Sequence, residues 1–332
     1  MEMTSKEIVR RAIRRQRPSR LPFAGDLFSG VGSKCAEGFV LTGTGIDEWG
    51  CVWGQTEVPN MGLVTKHPLE DIRKLDAHPL PDYTGDARYS DDEVGIRVAE
   101  RGGKYIMASI FMVLFERMHA LHGFENTLDD LYLDRPAMEA LADRIVDVQL
   151  TLVREISRRF PDRIDGWIMS DDWGTQTNSF ISYDLWMDFF YPRYKRIFDA
   201  MHVSGCDVWV HSCGRINDII EGYILAGVNV VNLLQPRALG IEEIGRRYRG
   251  RIAFNSCADI QATLPSGDRR KIEEDIEALM THWASADGGF IYTGYSGAAI
   301  GVHDASLVSF MDDTFSTWSE KLYGLPLPPR TP

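Results

Sequence analysis

The sequence predicts an α/β protein that folds as a single-domain (β/α)₈ TIM barrel over residues 1–332. From about residue 100 onward, short apolar segments alternate with longer segments whose apolar residues recur at helical spacing. The connections between them are short, which favours a parallel sheet covered by helices. A doubly wound open sheet is the alternative, but the glycines of FSGVGSKCAEG (28–38) do not have the G-x-G-x-x-G spacing expected in that fold.

The barrel elements are assigned in chain order after an N-terminal helix. Strands are predicted within 20–26, 104–111, 165–174, 206–214, 228–234, 251–257 and 289–295. Helices are predicted within 136–160, 183–201 (with a kink at Pro192), 216–227, 241–249, 269–285 and 304–322. This makes seven strands, and we expect an eighth that the pattern does not reveal. The segment from Ser29 to about Gly103 lacks the alternation and is rich in Gly, Pro and Trp, which predicts an insertion folded over the barrel mouth.

Composition excludes several classes of partner. The chain has 36 Lys and Arg against 48 Asp and Glu, a net charge of −12, which argues against binding to nucleic acid or to an anionic membrane. It has no apolar run near the roughly 20 residues that cross a bilayer, and no signal peptide is evident. Five scattered cysteines indicate reduced thiols. We therefore expect a cytoplasmic protein, for which a homodimer is one assembly that the sequence leaves open.

Polar or reactive side chains follow four of the predicted strands, at the end where a barrel of this class places its active site. They are Asp171 and Asp172, His211 and Cys213, Cys257 and Asp259, and Tyr295 and His303. The paired acids fit two roles equally well, catalysis and capping of the next helix.

Alternation along the strands predicts a metal site among these side chains. Val208 and Val210 share the face that packs on the helices, so His211 and Cys213 point toward the barrel axis. The same pattern turns Cys257 inward. Two thiolates with His211 or a carboxylate form a tetrahedral zinc set. An H-x-C pattern alone also fits two small buried core residues. The predicted inward position of Cys257 makes a metal site as well supported as that alternative.

Several segments together resemble the uroporphyrinogen decarboxylase superfamily, and the similarity runs over nearly the whole chain. They are MTSKEIVRRAIRRQRPSRLPF (3–23), DEWGCVWGQ (47–55), HPLEDIRKLDAHPLPD (67–82), 170–197, 211–236 and FNSCADIQATLPSG (254–267). The resemblance implies a single (β/α)₈ barrel. True decarboxylases of the superfamily carry an R-Q-A-G-R segment whose arginines hold substrate carboxylates. The matching region here, FAGDLFSGVGSKC, has no arginine, so porphyrinogen decarboxylation is not expected.

The cobamide-dependent methyltransferase branch of the superfamily is the better match. Its H-x-C zinc motif corresponds to His211 and Cys213, whereas Tyr295 stands where its thiol-methylating members have a third ligand, a cysteine. Cys257 is the candidate that replaces that ligand. A subset that is similar in the DIQATLP segment takes methyl groups from methoxylated aromatics, and the aromatic content near the mouth suits such a substrate.

Three functional hypotheses result. The first is a zinc-dependent methyltransferase, the O-demethylase component that moves a methyl group from a small methoxylated aromatic to a separate corrinoid protein. The second is a metal-free decarboxylase or lyase on a small organic acid, with Asp26 or Asp172 as proton donor. The third is a non-catalytic barrel that binds a corrinoid or another protein. The candidate catalytic residues are Asp172 and Asp171, the candidate substrate-binding residues are Trp173, Tyr295, His303 and Asp26, and the candidate metal ligands are His211, Cys213 and Cys257.

Overall fold

The computed structural model describes residues 3–32, 45–55, 62–295 and 297–329. The strands are β1 Leu27–Val31, β2 Gly45–Ile46, β3 Val52–Gly54, β4 Leu63–Lys66, β5 Tyr105–Ile110, β6 Gly166–Ser170, β7 Asp207–His211, β8 Val230–Asn232, β9 Ala253–Ser256 and β10 Phe290–Tyr292. The helices are α1 Ser5–Arg14, α2 Asp92–Arg101, α3 Phe115–His122, α4 Phe124–Leu133, α5 Arg135–Arg159, α6 Tyr183–Leu185, α7 Tyr191–Val203, α8 Ile219–Ala226, α9 Pro236–Leu239, α10 Ile241–Tyr248, α11 Arg269–His282 and α12 Ala305–Tyr323.

A curled parallel sheet of seven strands forms the centre of the fold, in the order β1-β5-β6-β7-β8-β9-β10. The edge formed by β10 contacts the residues that precede β1. Phe23 forms a parallel bridge with Tyr292 of β10, and the Tyr292 amide donates to the Pro22 carbonyl at 2.9 Å. The predicted alternation of strands and helices is confirmed, and the architecture is TIM-barrel-like. The eighth strand is not found among the residues that the structure describes, so a complete (β/α)₈ barrel stays a prediction.

The first strand begins later than the sequence predicts. Residues 20–26 contain the Phe23 bridge and a 3₁₀ turn over Ala24–Asp26, and β1 begins at Leu27. The cause is the side chain of Asp26, which accepts from the Phe23 amide at 3.0 Å and from the Arg20 guanidinium at 2.5 Å and 2.7 Å. These contacts close the turn and delay the extended conformation.

The predicted kink at Pro192 takes the form of a π-helical turn. Residues Trp186–Phe190 separate α6 from α7, and the Tyr191 amide donates to the Trp186 carbonyl five residues earlier. Proline lacks the amide hydrogen that would continue the regular ladder, which accounts for the irregularity at this point.

Among the described helices, none combines the length and apolar character of a membrane span.

Helix α1 covers the interior of the curled sheet at the amino-terminal ends of its strands. Val9, Ala12 and Ile13 pack against inward-facing strand residues such as Met107 and Trp209. All these side chains are buried, and because they fill this end of the interior, the cavity lies at the carboxyl ends of the strands.

The region between β1 and β5 divides into two parts. Strands β2, β3 and β4 form an antiparallel sheet that contributes to the cavity wall. Helix α2, by contrast, packs on β1, where a side chain added at Gly95 would meet the Phe28 ring at 2.7 Å. The predicted insertion was therefore too long at both ends, because Ser29–Val31 completes β1 and α2 belongs to the helical layer.

A buried ion pair fastens the small sheet to helix α3. Asp47 and Arg117 lie 3.2 Å apart with side chains that are 1% and 2% exposed. Asp47 also accepts from the Trp53 indole at 3.0 Å, and the Arg117 guanidinium lies over the Trp49 ring at 4.8 Å. The ion pair thus joins the loop before β3 to α3.

Asp165→Asn should lower the free energy of unfolding by about 2 kcal/mol, because the charge-assisted bonds that anchor α1 lose their acceptor charge. The Asp165 carboxylate is fully buried and binds Lys6 at 2.8 Å, Arg10 at 2.7 Å and the Ile106 amide at 2.9 Å. Urea unfolding measures the change. Asp199→Asn, which removes an exposed partner of Lys195, is the control, with an expected loss of less than about 1 kcal/mol. Equal losses in both variants would contradict the anchoring role.

Candidate active site

A cavity of about 780 Å³ lies at the carboxyl ends of the strands. Its wall is largely apolar and aromatic and includes Trp53, Leu63, Val64, Phe111, Met112, Phe124, Leu234 and Ile260. Polar side chains of the strand ends and of α3 also line it, namely Ser109, Ser170, Asp172, His211, Cys213, Asn232 and Glu116. This combination is typical of a binding site for a small, mainly apolar molecule with a few oriented polar groups.

Strand register aligns the polar side chains at this end of the barrel. Ser170, His211, Asn232 and Asn255 are paired in sequence across β6, β7, β8 and β9. Asn232 donates to the Asn255 side chain at 2.6 Å, so its oxygen is left to accept from His211 Nδ1, also at 2.6 Å. A histidine that donates through Nδ1 presents an unprotonated Nε2, which is the form that binds a metal.

Two glycines bring the loops after β6 and β7 into backbone contact. A side chain at Gly214 would meet the Gly174 carbonyl oxygen at 2.1 Å, and one at Gly174 would meet the Arg215 amide nitrogen at 2.5 Å. Gly214 also has a φ of 78°, which favours glycine. The close approach allows the Asp172 carboxylate to accept from the Cys213 amide at 2.7 Å.

Asp172, His211 and Cys213 form a candidate metal centre. One ligand atom from each lies within 4.8 Å of the others. His211 Nε2 is 3.4 Å from Cys213 Sγ and 3.6 Å from an Asp172 oxygen. Ligands at ordinary zinc bond lengths in a tetrahedron stand about 3.3–3.8 Å apart, so these separations fit zinc. An imidazole, a thiolate and a carboxylate also suit its borderline-soft character.

The electrostatics of the centre favour a bound cation. Burial raises the pKa of the Cys213 thiol, and the charge of Asp172 raises it further. Burial likewise raises the pKa of the neighbouring Glu116 well above its ordinary value, with Asp172 as the next cause. A divalent cation would oppose these effects and stabilise the thiolate.

Asp171, the other predicted catalytic acid, supports α3 and is fully buried. Its two oxygens accept from the amides of Leu114, Phe115 and Glu116 at 2.6–3.0 Å, and the Tyr194 hydroxyl also donates to it. Burial raises the pKa of Asp171 to about 7 despite these bonds. We therefore assign Asp171 to the capping of α3 instead of to catalysis, since its carboxylate oxygens face the amino terminus of that helix.

Cys257, the predicted second thiolate ligand, is not part of the metal group. It is fully buried within the main apolar cluster and does not line the cavity. Strand β9 ends at Ser256, so the inward alternation that places Asn255 does not extend to Cys257. Asp172 takes the third position in the group.

Of the four predicted substrate-binding residues, one lines the cavity and three do not. Tyr295 lines the cavity. Trp173 is fully buried because it points away from the side that Asp172 faces. Its ring stacks on that of Phe115, with the ring centres 4.1 Å apart, and its indole N–H donates to the Tyr194 hydroxyl at 3.1 Å. His303 is exposed and outside the cavity lining. Asp26 lies in a separate pocket with Arg20.

The cavity is also lined by Glu116, His119 and His67, which were not predicted from the sequence. Glu116 and His119 share one face of α3, and the Ser170 hydroxyl donates to Glu116 at 2.7 Å. The E-x-x-H spacing after β5 was the available signal. Asn232 was also not predicted from the sequence. It is a polar residue in an apolar strand and is paired with His211, which was the available signal for a role in the site.

Comparisons with known proteins identify a fold. No protein-family model and no curated protein matches the sequence. A solved methyltransferase from Methanosarcina mazei is similar at a TM-score of 0.65 and 12% identity, covering 95% of this chain and 100% of that one. A D-psicose 3-epimerase matches at a TM-score of only 0.38 and 13% identity, over 71% and 85% of the two chains. The fold of this chain therefore resembles that of the Methanosarcina mazei protein, and membership of the uroporphyrinogen decarboxylase superfamily stays a prediction.

Gly214→Ala should weaken zinc binding by about 10- to 100-fold, because the added methyl group forces the two loops apart and removes the support of the ligands. Competition with a chelating dye measures the affinity. Gly301→Ala is the matched control, since Gly301 has a similar φ of 74° but no described atom within 4 Å of the added carbon. An unchanged zinc affinity in folded Gly214→Ala would show that the loop contact does not organise the centre.

Proposed function

We propose that the protein is a methyltransferase that moves a methyl group from a small methoxylated aromatic to a separate corrinoid protein, with zinc at Asp172, His211 and Cys213. The observation that carries the proposal is the position of this donor group in a cavity with aromatic walls. The similarity in fold to a methyltransferase is consistent with it.

Zinc, when bound, supplies a Lewis acid for the ether oxygen and so offsets the poor leaving ability of phenolate. In the reaction the oxygen–methyl bond breaks, its electron pair stays on the phenolic oxygen, and cobalt(I) of the corrinoid supplies the pair for the new bond to carbon. His211 and Cys213 would hold the metal. Asp172, predicted from the sequence to orient the departing oxygen, completes the ligand set.

The chain's other contribution is to orient the ring and exclude water. Trp53, Phe111 and Phe124 offer aromatic surface to a substrate ring, and Leu63 and Ile260 add apolar surface. The hydrogen bond from His211 Nδ1 to Asn232 holds the imidazole plane. Both effects pre-organise the cavity for a substrate whose oxygen must meet one fixed point.

Purified protein should contain about one zinc per chain, and His211→Ala and Cys213→Ala should each reduce zinc affinity by at least about 100-fold, because two remaining ligands cannot close the shell. Asp172→Ala should also weaken binding. Elemental analysis and dye competition measure the effects. Cys257→Ala is the matched control and should retain its zinc. Zinc that survives Asp172→Ala but is lost with Cys257→Ala would overturn the ligand set.

Methyl transfer should require both zinc and a reduced corrinoid protein, and phenols with an ortho-methoxy group should bind best because their hydroxyl can also approach the metal. Absorbance follows formation of the methylated corrinoid when the protein is mixed with a panel of methoxylated aromatics. Removal of zinc should abolish the transfer, and adding it back should restore it.

Two results would change this conclusion. Transfer that survives complete removal of zinc would keep the function and reject the metal's role. No methylated corrinoid from any donor, together with carbon dioxide release from an organic acid, would favour the lyase hypothesis. In that case Asp172 is the acid to test, because Asp26 lies outside the cavity.

A further inference from the structure

The imidazole of His67 lines the cavity with one ring nitrogen bonded and the other available. His67 Nδ1 lies 2.9 Å from the Ala120 carbonyl oxygen. A carbonyl can only accept, so Nδ1 carries the hydrogen and donates it. Neutral imidazole then keeps Nε2 as an acceptor, and among the described residues Nε2 has no hydrogen-bond partner.

Helix α3 sets the depth of His67 in the cavity. The amide of Glu116, in the first turn of the helix, is bound to Asp171, which is adjacent in sequence to Asp172 of the metal group. Ala120, which holds His67, lies four residues further on, a rise of about 6 Å. His67 is therefore held about one helical turn beyond Glu116, on the side away from Asp171.

His119, which lines the cavity together with His67, packs among aromatic rings. The ring of His119 packs edge-on against Phe115 at 5.2 Å and Phe124 at 5.5 Å. Burial lowers the pKa of His119 to about 4. His119 is thus uncharged at neutral pH, so the acceptor of His67 stands in a wall that suits the face of a ring.

We propose that His67 is a specificity-determining residue that binds a hydroxyl or N–H group at the end of the substrate opposite the metal group. Its Nε2 can accept from a donor, and neither a methyl nor an ether group supplies one. The inference rests on the proposed function only for the methoxylated ring. It adds to that ring a second hydroxyl or N–H donor that is remote from the methoxy group, besides any ortho hydroxyl that approaches the metal.

The test measures binding by calorimetry in the zinc-loaded protein without corrinoid. One pair of probes is 4-methoxyphenol and 4-methylanisole, which differ by hydroxyl against methyl. The second pair, 4-methoxybenzyl alcohol and 4-ethylanisole, has a longer reach. At least one pair should show tighter binding of the hydroxyl member, by about 5- to 10-fold, because one net hydrogen bond contributes on that order.

The variants separate the acceptor from the structural role of the ring. His67→Asn keeps an amide donor for the Ala120 carbonyl but removes the Nε2 acceptor, so the hydroxyl preference should vanish. His67→Gln places an amide oxygen where Nε2 was and should retain the preference. His282→Asn, in the last turn of α11 and outside the cavity lining, is the control and should match the wild type.

Three outcomes would overturn the inference: no hydroxyl preference in either pair with the wild type, an unchanged preference in folded His67→Asn, or an equal loss of both members of a pair in that variant. Thermal unfolding confirms that each variant is folded. Because binding is measured without methyl transfer, absence of transfer with an intact hydroxyl preference would reject the proposed function alone.

Discussion

The backbone contact between Gly174 and Gly214 is the constraint on which the candidate site depends. A side chain on either residue would overlap the opposite loop. Because the loops after β6 and β7 touch through their backbones, Asp172 reaches the Cys213 amide and stands beside His211. Three ligand types from two strands thereby come within the separations of a zinc shell, and no long side chain has to span a gap between them.

The end of β6 connects this centre to the cavity wall. Asp171 and Asp172 are adjacent and point in opposite directions, as successive residues of an extended chain do. Asp171 binds the first amides of α3, and Asp172 faces the cavity. Since α3 carries Glu116 to the cavity, one dipeptide fixes both the metal group and the wall beside it.

Local periodicity determined what could be predicted from the sequence. The inward position of His211 follows from alternation along β7, and the burial of Trp173 follows from the same rule, since it lies opposite Asp172. The alternation does not apply to Cys257, because β9 ends at Ser256. The position of His67 depends on contacts between segments distant in sequence, which periodicity does not report.

The buried pair of Asp47 and Arg117 has an evolutionary consequence. Trp53 and His67 belong to a segment that this pair fastens to α3, whereas the metal group belongs to the strand ends. Substitutions in the fastened segment can therefore alter this part of the cavity wall without disturbing the candidate metal centre. A lineage that preserved the clamp and the two glycines could diversify its substrates by replacing a few residues of β3 and β4.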